Sequence, residues 1–301
     1  MRLWLLLIVF SLSLQHADAD NKGKGVVVET TYSLEIPPYM SLTQAKREGV
    51  VKARNQAIDS AFYSVVGGLD EVTLKNKNGN SDVSFMSIRR SQVKGVWLGD
   101  LAEPIFKQTL ADDGRHFLDI TVKGKARELK SAGIQFEALP LRVKPDLKLQ
   151  TDSFKDGDDF FLYFRSPVDG YLSVFLFDTN LNEVCYMLPY HNSGTGSYVI
   201  KHNEHYTFFS PNMAKSGDGE VDEFVMTCSE GNQEEYDELY VIFSPNKYSK
   251  KASNLERKQL NSDLILPDRM DYEGFNNWLM EYQEIDEDMQ IVRIPIRISK
   301  Q

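Results

Sequence analysis

The chain has 301 residues, with 34 Lys and Arg against 44 Asp and Glu and a net charge of −10. Its 42% apolar and 26% charged content excludes a largely disordered protein. The acidic balance repels phosphate backbones, which argues against nucleic acid as a partner, and two cysteines, Cys185 and Cys228, are too few for a disulfide-built scaffold.

Met1-Arg2 supplies a positive start, Leu3 to Leu14 an apolar stretch, and Ala17-Asp18-Ala19 a small-x-small site. That order predicts a signal peptide over residues 1–19, with the mature chain starting at Asp20. The apolar stretch is shorter than the ~20 residues that span a bilayer, although a retained N-terminal anchor is the other reading. No Cys follows it to carry a lipid, and no second run of membrane length appears, so no transmembrane segment is expected. The expected location is periplasmic or secreted.

Gly25 to Leu34 reads as a strand, stopped by Pro37-Pro38. Ser41 and Gln44 have the spacing of a capping box, in which each side chain satisfies the other's backbone donor. The helix that follows carries Ala45, Gly49, Ala53, Ala57 and Ala61 at i, i+4 spacing. Such a stripe of small residues lets a helix lie close on a sheet, or leaves a partner-docking groove. Gly67-Gly68 ends the helix, and residues 76–82 (NKNGNSD) form a turn-rich loop. Strands are expected at Val83–Ile88, Val93–Leu98, Ile105–Leu110 and Phe117–Gly124. In the last, Leu118, Ile120 and Val122 alternate with Asp119, Thr121 and Lys123, as in a sheet with one buried and one wetter face. Residues 20–140 therefore form an α+β domain, a helix on an antiparallel sheet, with a boundary near Leu139-Pro140.

The second half, 141–301, is expected to be a mostly-β, sandwich-like domain with a C-terminal helix and edge strand. Phe160–Phe164 and Tyr171–Phe177 flank the turn Ser166-Pro167-Val168-Asp169-Gly170 and read as a hairpin whose arms are covered on both faces. Further short strands follow at Glu183–Leu188, Ser197–Lys201, His205–Ser210, Glu223–Cys228 and Leu239–Phe243. Tyr272, Phe275, Trp278, Leu279 and Tyr282 fall on one helical face, and Trp278 is expected in the core. Val292, Ile294, Ile296 and Ile298 then alternate along a last strand, placed at an edge because Pro295 lacks the ladder donor.

These residues bring a resemblance into view. Residues 153–158 (SFKDGD), 166–172 (SPVDGYL), Leu188-Pro189-Tyr190 and 240–246 (YVIFSPN) resemble the family called domain of unknown function 4384, over roughly Leu141 to Gln301. Members occur beside signalling kinases or caspase-like peptidases, and neither catalytic domain is present in this chain. Residues 45–61 (AKREGVVKARNQAIDSA) and 122–128 (VKGKARE) resemble the small α+β domain of flagellar assembly protein T and related envelope lipoproteins. The combination resembles secreted proteins of Bacteroidetes. The resemblance supplies no catalytic residues.

The chain carries no nucleophile elbow and no phosphate-binding glycine loop. His202, Glu204 and His205 suggest zinc, but positions three apart on a strand face opposite ways. Asp218, Glu220 and Asp222 alternate beside glycines, and Asp156, Asp158 and Asp159 precede a strand; both sets read as solvated turns, with calcium the alternative. Asp169 is expected to bond its own turn backbone. Lys250, Lys251, Arg257 and Lys258 form a small basic cluster read as a solvated face. Cys185 and Cys228 could pair outside the cytoplasm or stay buried as thiols. No catalytic, cofactor-binding or metal residue is assigned, and no cofactor. The reading is a non-enzymatic envelope or secreted interaction protein with envelope proteins as partners. The alternative is a hydrolase or a glycan-binding accessory protein using aromatic platforms such as Tyr190, Tyr206 and Trp278.

Overall fold

The computed structural model describes residues 25–62, 91–129, 133–191, 197–247 and 269–300. The cleavage site, Gly67-Gly68, the 76–82 loop, the 83–88 strand and the basic cluster at 250–258 lie outside the described residues.

The first unit comprises β1 (Val26–Ile36), α1 (Leu42–Phe62), the two-residue β2 (Ser91–Gln92), β3 (Gly95–Leu110) and β4 (His116–Glu128). An antiparallel sheet in the order β1-β4-β3 carries α1 on one face. Leu118, Ile120 and Val122 of β4 are buried toward the helix, and the residues between them are wetter, as the alternation requires. Ala45, Ala53 and Ala57 are buried in the same core. At Gly49 even a methyl group would lie 2.6 Å from Ile120 Cδ1, so the small stripe sets the distance between helix and sheet. The stripe is packed and is no docking groove; only Ala61, at its end, is exposed. The strands expected at 93–98 and 105–110 are one long β3, broken by register shifts between Trp97 and Ile105. Bulges and Pro104 let one strand bend without ending.

The rest is β5 (Glu137–Arg142), β6 (Ser153–Lys155), β7 (Asp158–Arg165), β8 (Gly170–Asp178), β9 (Glu183–Leu188), β10 (Tyr198–Ile200), β11 (Tyr206–Phe208), β12 (Phe224–Met226), β13 (Glu234–Ser244), β14 (Arg269–Asp271), α2 (Tyr272–Ile285) and β15 (Gln290–Ser299). One sheet runs β14-β9-β8-β13-β15-β2, with β10 also on β8 and β6 also on β15. A second has β7 at its centre, with β5 on one side and β11 and β12 on the other. β5 runs through Leu139-Pro140, the expected domain boundary, and pairs with β7 along its length.

The segment expected as a hairpin is not one. Its arms, β7 and β8, belong to different sheets, and the turn at 166–169 carries the chain across the core between them. Both arms are apolar because each contributes to that core: Phe160, Leu162 and Phe164 from β7, Leu172 and Val174 from β8. A Cβ on Gly170 would lie 2.4 Å from the Ser244 carbonyl oxygen, so only glycine fits where β8 enters beside β13.

The larger sheet is covered on both faces. Leu239, Val241, Ile294 and Ile296 face the second sheet, and Tyr240, Ile242 and Ile291 face α2. Asp271 caps α2, accepting from the Gly274 N–H at 2.6 Å. β15 is an interior strand rather than the expected edge: β13 lies on one side, and β2 and β6 lie on the other. β2 pairs at Val292–Arg293 and β6 at Arg297–Ser299, so Pro295 falls in the break between them. Ile291 O and Arg297 N both bond on that outer side, so Pro295 in phase with them presents its missing donor there, where no bond is lost.

Candidate functional site

The break at Pro295 opens into a groove of about 960 Å³ between α1 and β15. Helical spacing lines up Lys52, Asn55, Gln56 and Asp59 along one wall. Strand spacing puts Arg293, Pro295 and Arg297 together on the floor, with Tyr236 of β13 directly opposite Arg297. Tyr32 and Asp152 complete the rim.

On the same face, between Tyr236 and Tyr240 and covered by α1, lies Glu238, fully buried opposite Pro295. Its carboxylate accepts from Asn55 Nδ2 at 2.6 Å, from the Tyr236 hydroxyl at 2.7 Å and from the Tyr240 hydroxyl at 3.0 Å. Arg293 stands 3.9 Å from Glu238 and 3.5 Å from Asp59. Burial alone would lower the Arg293 value, but the charge of Glu238 and its neighbours outweighs it and holds the guanidinium firmly protonated. Asp59 is pushed up by desolvation, against the pull of Arg293. Arg297 pairs with Glu234 at 3.1 Å, and Lys52 pairs with Glu48 while standing 4.6 Å above the Tyr236 ring. The capping box is half made: Ser41 Oγ accepts from the Gln44 N–H at 3.1 Å, but the Gln44 amide donates to the Glu234 carbonyl. These bonds fasten α1 to β13, and the groove is polar, with Lys52, Arg293 and Arg297 set among the carboxylates of Glu48, Asp59, Asp152, Glu234 and Glu238.

A second surface is β3 itself. From Asp100 onward every residue but Pro104 and Phe106 is exposed, and Leu101, Ile105 and Leu110 are 49%, 66% and 63% exposed. Among the described residues β3 has β4 as its one strand neighbour.

The side chains weighed from the sequence are placed elsewhere and apart. His202 and His205 have separate partners: Asp169, 2.7 Å from His202 Nδ1, and the Tyr163 hydroxyl, 2.7 Å from His205 Nδ1. Asp169 does not bond its own turn. It accepts from the His202 backbone N–H and its ring nitrogen, which hold its carboxyl down to about 2. Asp218 accepts from the Tyr198 hydroxyl and the Lys215 N–H, and Asp222 from the His191 N–H. Asp156 accepts from the Cys228 N–H and Asp158 from the Lys155 N–H. Among the described residues no three His, Cys, Asp or Glu side chains converge as a metal set. Cys185 and Cys228 are both buried free thiols, each pushed up to about 11 by burial.

Tyr190 and Tyr206 are not surface platforms. Both are buried among Tyr198, Phe208 and Phe209. Trp278 is half-buried over Phe175, Phe275 and Tyr282. The groove residues escape sequence reasoning because the α1 wall and the β15 floor are more than two hundred positions apart. The one local signal was the alternation that put Arg293, Pro295 and Arg297 on a common face. Among the described residues no helix is long and apolar enough to cross a membrane. No known protein family, characterised protein or solved structure matches the chain.

Proposed function

We propose that this is a non-enzymatic accessory protein of a cell envelope, exported by its N-terminal segment, which works by binding a partner protein. The observation that carries the reading is β3, where Leu101, Ile105 and Leu110 stand in water along one long strand. Ile105 and Leu110 are five apart and lie on opposite faces of the strand, so they form no single patch; what they flank is the outer backbone edge of β3, which has no strand partner among the described residues and can take a partner strand. Bulges and Pro104 guard the first part of the strand against indiscriminate pairing, while Ile105–Leu110 is regular and open to a specific one. The resemblance of the second half to the domain of unknown function 4384, and of the first to flagellar assembly protein T, agrees with a binding role in the envelope. The test is Ile105→Lys in the native host. The variant is expected to melt like wild type and to lose the protein that co-purifies with wild type from envelope fractions. Retention of that protein by the variant overturns the reading.

A further inference from the structure

The outer edge of β3 over Ile105–Leu110 carries a pattern that matches itself. We propose that it pairs with the same stretch of a second copy of this chain, antiparallel and centred on Gln108, to give a two-fold dimer. The inference rests on the β3 reading above and names the partner that the strand takes.

Hydrogen-bond phase fixes the register. From Ile105 to Leu110 the ladder with β4 is regular, with Ile105 opposite Thr121 and Leu110 opposite His116. It closes where the Ala111 N–H donates to the Arg115 carbonyl at 2.9 Å. Backbone groups alternate sides along an antiparallel strand. Ile105, Lys107 and Thr109 therefore bond inward to β4, as Ala111 does, while Phe106, Gln108 and Leu110 turn their N–H and C=O outward. Among the described residues no strand meets that outer side. In an antiparallel copy centred on Gln108, Phe106 lies opposite the second copy's Leu110, Gln108 opposite the second copy's Gln108, and Leu110 opposite the second copy's Phe106. Every outward residue then exchanges two bonds with its opposite number. A centre on Thr109 leaves Phe106 without a strand residue opposite. A centre on Lys107 strands Leu110, because the bulge before Ile105 breaks the phase there, and sets Lys107 against its own copy.

The side chains agree with that register. Directly opposite residues of two strands share a face. Phe106 and Leu110 stand opposite Ile120 and His116, on the α1 face, so each copy's exposed Leu110 is covered by the other's Phe106. On the far face the exposed Ile105 lies over the second copy's Ala111, and Lys107 over its Thr109. Both exposed apolar side chains thus gain an apolar neighbour, although they point opposite ways, and no like charges meet. A strand from residues 63–90 is the competing occupant. The described chain stops at Phe62, packed against Gly95, and resumes at Ser91, four positions before Gly95. Both points belong to the end of β3 remote from Leu110.

The test is sedimentation velocity of the purified full chain from about 1 to 300 µM, in salt of about 0.3 M to screen the −10 charge of each copy. A reversible dimer is expected, with Kd on the order of tens of micromolar because the contact is small. Gln108 is exposed and faces its own copy across the two-fold axis. Gln108→Lys and Gln108→Glu are therefore each expected to melt like wild type and to weaken the dimer several-fold, while an equal mixture of the two restores it. The proposal is overturned if wild type stays monomeric at about 300 µM, if it grows into open-ended chains, if both variants dimerise like wild type, or if mixing restores nothing. A monomeric wild type, together with an Ile105→Lys variant that loses its co-purifying protein, overturns the second copy alone and leaves the β3 reading standing.

Discussion

Asp237 and Asp178 face each other directly across the β13–β8 ladder, with like charges in register at the end of the inter-sheet core. Burial pushes the Asp237 carboxyl well above the ordinary carboxylate range; Asp178 adds to the rise, and so, less strongly, do Glu235 and Glu238. The Thr179 N–H, donated to Asp237 Oδ1 at 3.2 Å, only partly opposes it. A raised folded-state value means that the folded protein binds the proton more tightly than the unfolded chain. Stability from this group is therefore full below the unfolded value near 4 and falls as pH rises toward the folded value. Asp237→Asn keeps an acceptor for Thr179 and removes the charge. The variant is expected to melt a few degrees above wild type at pH 8, since about 1 kcal/mol moves Tm by ~2–4 °C at this size. The difference should shrink toward zero near pH 4. Thermal melts of both proteins across pH 4–8 check it, and a lower Tm for the variant at pH 8 would refute the assignment.

At the scale of elements, α2 is held by aromatic contact with the larger sheet. Trp278 lies with its ring centroid 5.3 Å from Phe175, 6.0 Å from Phe275 and 5.0 Å from Tyr282. Its indole nitrogen is buried without a hydrogen-bond partner among the described residues. The ring therefore contributes by contact, and its polar handle contributes nothing. Trp278→Ala should cost about 3 kcal/mol, the lower end of the usual range because the ring is only half-buried, and lower Tm by roughly 6–12 °C. Trp278→Phe keeps a ring and discards the unsatisfied donor, so it should cost much less. Denaturant unfolding of the two variants tests this; equal losses would place the indole N–H in a bond that matters. The helical face around Trp278 was legible because period 3.6 is local to the sequence. β13 was legible only in part: Leu239–Phe243 reads as a buried strand, but Glu234–Glu238 does not, since acids are rarely buried. Glu235 is buried on a donor from Asn232 just before the strand, but Asp237 and Glu238 are buried because Thr179 and Asn55 supply donors from distant parts of the chain. The hairpin misreading has the same origin, for the turn residues at 166–170 announce a reversal but not which sheet the chain returns to.

For the whole molecule, the boundary expected at Leu139-Pro140 falls inside β5, whose pairing with β7 local composition does not register. β5 begins at Glu137, and four of its six register pairs with β7 precede Leu141. Phe136, just before it, packs 5.2 Å from Phe164 and 5.7 Å from Phe243. A chain beginning at Leu141 would lose these pairs and leave Phe164 and Phe243 facing a cavity, and a buried Phe is typically worth about 3–5 kcal/mol. A chain beginning at residue 133 keeps them. Both fragments lose the Asn55 donor to Glu238 and the cover that Val51, Val93, Val96 and Leu129 give the larger sheet. The expected order of melting temperatures is therefore full chain, then 133–301, then 141–301, measured on purified fragments at one pH. Equal melting of the two fragments would mean that β5 contributes no stability to the core it borders. Melting of 133–301 at the full-chain temperature would mean that the α1 contact with Glu238 holds the first unit in place without stabilising the second.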